Sequence, residues 1–358
     1  MTHVVIVGAG GNIGSHLVPH LARLPELDQL TLIDRDRYEL RNAANQDFPA
    51  PAAGRSKALV QAARARRLNP RLTVVALAEA VEELPLGALR ADLLIACLDS
   101  RRARQWVNHA AGRLGVPWLD GGVLAGGLLG RVTRFLPGGE QPCLECRWDD
   151  ADYAALEQAY PCEPAVAAPT GAPSGLGALV AALLALECAK LLSGAGRPLE
   201  GGAELVLDAA HHRHFVTAAR RNPACRRAGH APWRVEPLPG LRTTLGGLLD
   251  AMRPRLGANG DLALRVEGKR FARLLCCEHC GATRRVLRLA RGSSPERRRC
   301  RACGGRLGVT GFGLADRVES DTLSQSERSR PLAALGLRPG EVISIGTAER
   351  EVHLELEP

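Results

Sequence analysis

A short apolar run that ends in a glycine-rich turn constrains the fold of this chain most. Residues 3–8 read His-Val-Val-Ile-Val-Gly, a β-branched run typical of a buried parallel strand. The turn, residues 8–14, reads Gly-Ala-Gly-Gly-Asn-Ile-Gly and leads into a helical pattern. Glycines allow a backbone to approach phosphates, and a helix N-terminus offers unpaired N–H groups. We therefore expect Gly8, Gly10 and Gly11 to bind a nucleotide, the alternative being a tight turn without a ligand.

Strand and helix patterns alternate beyond this turn. Strands are predicted at 29–34, 72–77, 92–97 and 203–208, and helices at 12–24, 56–68, 101–114 and 174–193. This alternation predicts a doubly wound, mostly parallel α/β sheet of Rossmann-like type. A proline-rich stretch, 147–173, is predicted to be a long crossing loop, a length that often indicates function.

Composition limits the remaining possibilities. The chain has 358 residues, 46% of them hydrophobic, which suits two domains with sizeable cores. Its net charge is +9, which suits ATP, nucleic acid or an acidic protein partner. Because the charges are scattered and only 3% of residues are aromatic, a nucleic-acid partner is not expected. With no leader pattern and no long apolar run, we expect no membrane span and a cytoplasmic location.

Cysteine spacing predicts a metal site near the C-terminus. Cys277 and Cys280 form one CxxC pair, Cys300 and Cys303 form another, and nineteen residues separate the pairs. Four thiolates at this spacing are typical of a structural zinc ribbon, with no open position for catalysis. Cys276 is interpreted as a bystander.

A series of short motifs after the glycine turn resembles, in its order, the E1/MoeB/ThiF superfamily of activating enzymes. The resemblance covers about residues 3–228. The motifs are Asp34-Arg35-Asp36, Asn42 with Gln46, the run 54–58 (Gly-Arg-Ser-Lys-Ala), Leu68-Asn69-Pro70, Leu98-Asp99-Ser100, Arg104 with Asn108, and the run 142–146 (Pro-Cys-Leu-Glu-Cys).

The resemblance implies a bacterial E1-like adenylyltransferase that uses ATP and Mg²⁺ to activate the C-terminal carboxylate of a ubiquitin-like or sulfur-carrier protein. It assigns the adenosine to Gly11 and Asp34, the phosphates to Lys57, and magnesium to Asp99. A carboxylate that attacks an α-phosphate needs such cations nearby. The alternatives are an exposed helical lysine at Lys57 and a helix N-cap at Asp99. The expected nucleotide site is completed by Asp36, Asn42 and Asn45.

One departure from the family pattern affects catalysis. An arginine that contacts the phosphates in the family is Asn45 here, and Arg41 is the first candidate to replace it, with Arg35 and Arg37 as others. The alternative is a non-catalytic E1-like partner or scaffold that binds a ubiquitin-like protein. We expect a homodimer or a heterodimer. An NAD-dependent oxidoreductase with the same glycine turn is a third interpretation, and a zinc-ribbon protein that binds nucleic acid with a steep salt dependence is a fourth.

The family also implies a second zinc site. In relatives, a CxxC pair near the end of the domain completes the site with a pair at the position of Cys143 and Cys146. Here Cys225 matches and Ala228 does not, so His230 is expected as the fourth ligand.

Cys162, in the predicted crossing loop, is a candidate nucleophile. E1-like enzymes often carry a cysteine in this loop that takes the acyl group as a thioester, which requires an exposed thiol of lowered pKa. The alternative is an incidental loop cysteine.

The domain prediction places an adenylation domain at 1–230 and a second domain, with the zinc ribbon at 277–303, at 231–358. The C-terminal end faintly resembles a β-grasp module. We expect this domain either to dock the carrier protein or an E2-like conjugating protein, or to act as a stabilising appendage.

Overall fold

A computed structural model describes residues 1–157, 171–227, 229–257, 260–290 and 299–357. The chain divides into two compact units. The first unit comprises Met1–Val81 and Leu89–Pro232, and the second comprises Glu82–Ala88 and Trp233–Pro358.

The segment Glu82–Ala88 differs from the predicted division, which placed it in the first domain. Its backbone is held by the second unit: the N–H of Gly87 donates to the carbonyl of Gly340 at 2.8 Å. Lys269 Nζ donates to the carbonyl of Leu84 at 2.9 Å. These long-range contacts have no local sequence signal.

The first unit is a mixed eight-stranded sheet in the order β3-β2-β1-β4-β5-β6-β7-β8. Its elements are β1 (His3–Val7), α1 (Asn12–Leu21), β2 (Gln29–Ile33), α2 (Lys57–Leu68), β3 (Thr73–Leu77), β4 (Leu93–Ala96), α3 (Arg101–Leu114), β5 (Trp118–Leu124), β6 (Leu129–Phe135), α4 (Asp150–Glu157), α5 (Ser174–Ser193), β7 (Ala203–Asp208) and β8 (Arg213–Ala218). The first five strands in this order, β3-β2-β1-β4-β5, are parallel to one another. Strands β6, β7 and β8 extend the sheet, and each pairs antiparallel with the strand before it. The predicted doubly wound α/β class is confirmed.

Burial explains the continuous apolar run of β1. The strand lies between β2 and β4, and four of its five residues are buried. Leu17 of α1 and Leu184 of α5 are fully buried in the same core cluster as Ile6 and Leu32. A central strand covered by helices has no face for polar residues.

Helix α5 is long and apolar enough to cross a membrane when judged only by length and composition. Its residues Val180, Ala181, Leu184 and Cys188 are buried in the core of the first unit. The core helix of a folded unit passes the same test, and the burial of these residues fits such a helix.

The predicted crossing loop is partly wrong, because Asp150–Glu157 forms α4. The N–H of Asp152 donates to Asp149 Oδ1 at 2.9 Å, and the N–H of Asp149 donates to Asp152 Oδ2 at 3.2 Å. This reciprocal pairing satisfies donors at a helix start, and acidic residues in a first turn suit the helix dipole. The prolines of the segment begin only at Pro161, outside the described residues.

The second unit contains a five-stranded sheet in the order β15-β10-β16-β17-β9, and a smaller sheet in which β11 pairs with β12, β13 and β14. Its elements are β9 (Val235–Leu238), α6 (Leu245–Leu256), β10 (Ala263–Val266), β11 (Arg270–Cys277), β12 (Thr283–Ala290), β13 (Leu307–Val309), β14 (Leu314–Ala315), β15 (Arg317–Glu319), α7 (Gln325–Arg328), β16 (Val342–Gly346) and β17 (Glu351–Leu356). Leu249 of α6 and Ile343 of β16 are fully buried in one cluster. The β-grasp likeness stays a prediction.

Candidate functional site

The glycine turn lies at the carboxyl end of β1 and requires its glycines sterically. Gly8 has φ +82°, and a Cβ there would lie 2.3 Å from the carbonyl oxygen of Cys97. A Cβ on Gly14 would lie 2.1 Å from the oxygen of Gly8. Gly11 is the N-cap of α1 and has no side chain to cap it, so the helix start keeps donors for a ligand.

Asp34 follows β2 and is anchored by two backbone donors. The N–H of Gly10 donates to Asp34 Oδ2 at 2.8 Å, and the N–H of Asp36 donates to Oδ1 at 3.0 Å. The carboxyl is buried, and burial raises its pKa while the two donors lower it. Each carboxylate oxygen has a second acceptor position, which suits a ribose hydroxyl.

Lys57 is a buried lysine, not the exposed helical lysine of the alternative interpretation. The side chain is 8% exposed, and Nζ lies 3.5 Å from Asp36 Oδ2 and 5.8 Å from the ring centroid of Tyr38. Its N–H donates to the carbonyl of Asp36 at 2.9 Å. A cation held beside the glycine turn suits phosphate oxygens.

Asp99 lies beyond β4 and is exposed. The N-cap of α3 is Ser100, whose hydroxyl accepts the N–H of Ala103 at 3.3 Å, so Asp99 is not that cap. Arg104 Nε donates to the carbonyl of Leu98 at 3.0 Å and braces the loop that carries Asp99. An exposed carboxylate at this edge fits a hard cation such as Mg²⁺.

Three neighbouring parallel strands, β2, β1 and β4, thus end at Asp34, the glycine turn and Asp99. Ligands of open α/β sheets bind outside such carboxyl ends. The glycine cradle, the buried aspartate and the lysine fit a nucleotide phosphate and ribose.

The loop after β2 contains the predicted Asn42, Asn45 and Arg41. Asn42 Oδ1 accepts the N–H of Glu39 at 2.9 Å, and Asn45 is the C-cap of the short 3₁₀ helix Leu40–Ala44. Arg41 Nε lies 2.6 Å from Glu39 Oε2, and the Arg41 side chain is 61% exposed. Arg41 is therefore an exposed cation engaged by an acidic neighbour.

The structure brings Cys143, Cys146, Cys225 and His230 together, with all ligand atoms within 4.8 Å of one another. Cys143 Sγ lies 3.8 Å from Cys225 Sγ and 3.6 Å from His230 Nε2. Zinc–sulfur bonds of about 2.3 Å in a tetrahedron separate sulfurs by about 3.8 Å, so the cluster fits zinc. His230 Nδ1 lies 3.0 Å from the carbonyl oxygen of Gln141, an orientation that leaves Nε2 for a metal.

The ribbon cysteines Cys277, Cys280, Cys300 and Cys303 form a second such group. Sγ–Sγ distances are 3.5 Å between Cys277 and Cys303 and 3.6 Å between Cys280 and Cys300. Backbone N–H groups lower the pKa of the Cys277 thiol to about 6, which favours a thiolate ligand. Cys276 is not in the group.

A buried polar cluster around Glu145 was not anticipated. Its carboxylate accepts hydrogen bonds from Asn108 Nδ2 at 3.1 Å, Gln105 Nε2 at 3.0 Å and the hydroxyl of Tyr153 at 3.2 Å. Burial raises the pKa of Glu145, but hydrogen bonds, that of His109 foremost, lower it overall. The cluster joins α3 and α4 to the short 3₁₀ helix Leu144–Arg147, which follows Cys143 and contains Cys146.

A second unanticipated network surrounds Asp120 on β5, which is fully buried. Arg131 Nη2 lies 2.9 Å and Arg104 Nη1 lies 3.5 Å from Asp120 Oδ2. Arg131 also pairs with Glu204, and Glu204 with Arg147. The network runs from the Asp99 loop to the residue after Cys146.

Cys162 lies outside the described residues, as does Ala228.

Comparisons with known proteins agree on the first unit. The model of the ThiF family matches residues 1–227. The chain is 32% identical over 244 residues to the sulfur carrier protein adenylyltransferase of Thermus thermophilus, covering 65% of this chain and 84% of that protein. It is 29% identical to the molybdopterin-synthase adenylyltransferase of Escherichia coli, covering 64% and 87%. A crystal structure of E. coli MccB with ATP has the same fold, with a TM-score of 0.52, 21% identity and coverage of 64% and 66%.

Proposed function

The chain belongs to the ThiF family of E1-like proteins, and on this premise we propose that it adenylates the C-terminal carboxylate of a ubiquitin-like or sulfur-carrier protein. The observation that carries the proposal is the convergence of the glycine turn, Asp34 and Asp99 at the carboxyl ends of β1, β2 and β4, with the buried Lys57 beside the turn.

In the proposed reaction, a carboxylate oxygen of the carrier attacks the α-phosphorus of ATP. The bond from that phosphorus to the bridging oxygen breaks, and pyrophosphate leaves with the electron pair. The glycine turn and Asp34 hold the nucleoside, and Lys57 offsets the phosphate charge. Asp99 would hold Mg²⁺, which supplies charge neutralisation at the phosphates when bound.

Zinc has a structural role in this proposal. Both groups of ligands have four members, so neither leaves an open position for substrate.

ATP–pyrophosphate exchange with a ubiquitin-like or sulfur-carrier protein that ends in Gly-Gly tests the proposal. Wild-type protein should exchange label between pyrophosphate and ATP, and the exchange rate of Asp99→Ala should be at least about a hundredfold lower. Asp150→Ala, at a highly exposed aspartate, should retain the activity. Calorimetry should detect binding of ATP and AMP but not of NAD. Exchange no greater than that of Asp99→Ala, or preferential NAD binding, would refute the proposal.

A thioester on Cys162 is a further step of the proposed function. The thiolate would attack the acyl carbon of the adenylate and release AMP, so the carrier becomes linked to the enzyme. The support is the position of Cys162 between the Cys143 pair and α5. An adduct cleaved by dithiothreitol should form in wild type and not in Cys162→Ser.

Asn45 favours a second candidate, a non-catalytic E1-like partner that binds a ubiquitin-like protein. In this case a carrier would bind without exchange, and exchange would appear only when a second E1-like chain is added. If the protein is an adenylating enzyme, we propose that it is a cytoplasmic homodimer or heterodimer and that it transfers its product to a conjugating protein. Size-exclusion chromatography with light scattering would establish the oligomeric state.

A further inference from the structure

The charge of this protein is concentrated in one segment. Residues 270–306 contain eleven arginines and two acidic residues, a net charge of +9 that equals the net charge of the whole chain. The rest of the chain is therefore neutral overall, so the net positive charge is not scattered along the chain as the sequence analysis expected. Four zinc-bound thiolates would remove about two of these units and leave the segment strongly basic.

Folding gathers part of this charge around one groove in the second unit. The groove has a volume of about 470 Å³. Its lining consists of Arg284, Arg285, Val286, Leu287 and Arg288 of β12, with Arg299, Arg330 and Ala334. Five of these eight residues are arginines, and they come from three separate parts of the chain.

The backbone fixes where these arginines lie. β12 pairs with β11 along its length, with a shift of register between Ala272 and Leu274. Leu287 and Leu289 of β12 are buried in the core of the unit, while Arg284 and Arg285 are exposed. Arg299 is exposed and forms a β-bridge with Arg306 at the second cysteine knuckle. The groove is thus framed by the five-residue arginine set and the zinc ribbon.

We propose that this groove binds the phosphodiester backbone of a nucleic acid duplex, without reading its sequence. Guanidinium groups bind phosphates through two parallel N–H donors each, and a cluster of them is attracted to a regularly charged polyanion. The proposal does not depend on adenylation, because none of the lining residues belongs to the nucleotide site of the first unit.

The lining distinguishes a duplex from other anionic partners. A protein interface normally has an apolar core with aromatic anchors. Among the described lining residues, only Val286, Leu287 and Ala334 are apolar, and Leu287 is fully buried. Non-specific single-strand binding relies on aromatic stacking, and none of the groove-lining residues that the structure describes is aromatic. Contacts from arginines to phosphates alone suit the backbone of a duplex.

Fluorescence anisotropy with a labelled RNA duplex of about 20 base pairs, and with the DNA duplex of the same sequence, tests this at several salt concentrations. Five phosphate contacts predict a slope of log Kobs against log salt of about −4.5. The variant with Arg284→Ala, Arg285→Ala and Arg299→Ala should bind about 10- to 100-fold more weakly and reduce the slope by about three units. The matched control, Arg234→Ala with Arg242→Ala and Arg350→Ala, removes the same charge from exposed positions outside the groove.

Thermal melting and zinc content establish that both triple variants fold. If the groove variant does not fold, phenylglyoxal modification of the wild-type protein addresses the same question, since either duplex should protect Arg284, Arg285 and Arg299 more than the control arginines. An equal loss of duplex affinity in the groove variant and the control variant would overturn the proposal. Equal protection of the groove arginines and the control arginines from phenylglyoxal would also overturn it. Binding of polyglutamate but of neither duplex would also overturn it and favour an acidic protein partner.

Discussion

A Cβ atom added to Gly10 would lie 2.4 Å from the Cβ of Lys57, so the glycine turn and the first residue of α2 are in direct contact. The proposed phosphate lysine is therefore positioned by its close approach to this glycine as well as by its ion pair with Asp36. Gly10→Ala should push Lys57 aside, weaken ATP binding at least about tenfold and destabilise the fold by about 1–3 kcal/mol.

Calorimetry with ATP and thermal melting measure these two effects. Gly139→Ala is the control, because a Cβ there meets nothing within 4 Å and its φ is not positive. Wild-type ATP affinity in a folded Gly10→Ala protein would show that the contact has no functional role.

The pair formed by Arg41 and Glu39 predicts how the missing family arginine is replaced. Both side chains are exposed, and such a pair contributes about 0–1 kcal/mol, so Arg41→Ala should leave the melting temperature nearly unchanged. If Arg41 contacts the phosphates, pyrophosphate exchange should fall at least about tenfold in this variant.

Glu39→Gln, which releases Arg41 from its acidic neighbour, should retain exchange. Arg37→Ala is the matched control, since Arg37 Nη1 donates to the carbonyl of Gly54 at 2.8 Å. If pyrophosphate exchange fell in Arg37→Ala and not in Arg41→Ala, the phosphate contact would be reassigned to Arg37.

His230 and Cys225 predict the zinc content of the protein. Two four-ligand groups should give two zinc ions per chain, and loss of one ligand from the first group should leave about one. Inductively coupled plasma mass spectrometry of His230→Ala and Cys225→Ser measures this directly. Cys276→Ser is the control and should retain both ions. One zinc per chain in the wild-type protein would contradict a metal at the Cys143 group.

Glu204 predicts a pH dependence of stability. Burial raises its pKa, but Thr133 Oγ1, which donates at 2.8 Å, and the guanidinium groups of Arg147 and Arg131 lower it overall. A carboxylate with a depressed pKa stabilises the fold above its unfolded pKa, and the contribution is lost as pH falls through the folded pKa. Glu204→Gln should therefore unfold about 1–3 kcal/mol more easily at pH 7.

That difference between Glu204→Gln and wild type should shrink as the pH falls below about 4. Urea titrations across the acid range measure it. Glu200→Gln is the control, because the Glu200 side chain is 73% exposed and pairs with the exposed Arg197. A difference independent of pH would show that the charge of Glu204 is not what stabilises the unit.

Local patterns made the nucleotide edge predictable. The run before Gly8 and the short spacing to Gly14 determine a strand, a turn and a helix from neighbouring residues alone. Asp34 follows its strand directly, so its position at the sheet edge also follows from local order. Whether Asp99 or Ser100 is the N-cap of α3 was not predictable, because the two residues are adjacent in sequence and both residue types are good N-caps.

Tertiary contacts account for what the sequence did not reveal. Glu145 lies in a recognised motif, but its donors come from α3 and α4, and no spacing rule connects them. Arg131 meets Asp120 across two neighbouring strands, so the pair depends on the register of β5 and β6. His230, by contrast, was expected from the family resemblance, since the second cysteine of the family pair is Ala228 here and His230 follows two residues later.

The seven residues Glu82–Ala88 make the second unit discontinuous in sequence, because they belong to the same compact unit as Trp233–Pro358. Leu84 and Leu86 are buried, and the buried Lys269 ammonium donates to two carbonyls of this segment. A gene fragment that encodes residues 233–358 alone would lack seven residues of this unit, and one that stops at 232 would separate Leu84 and Leu86 from the rest of the unit to which they belong. A recombination event that exchanged the whole second unit between proteins would have to carry two separate stretches of the gene, because residues 82–88 are encoded inside the span of the first unit.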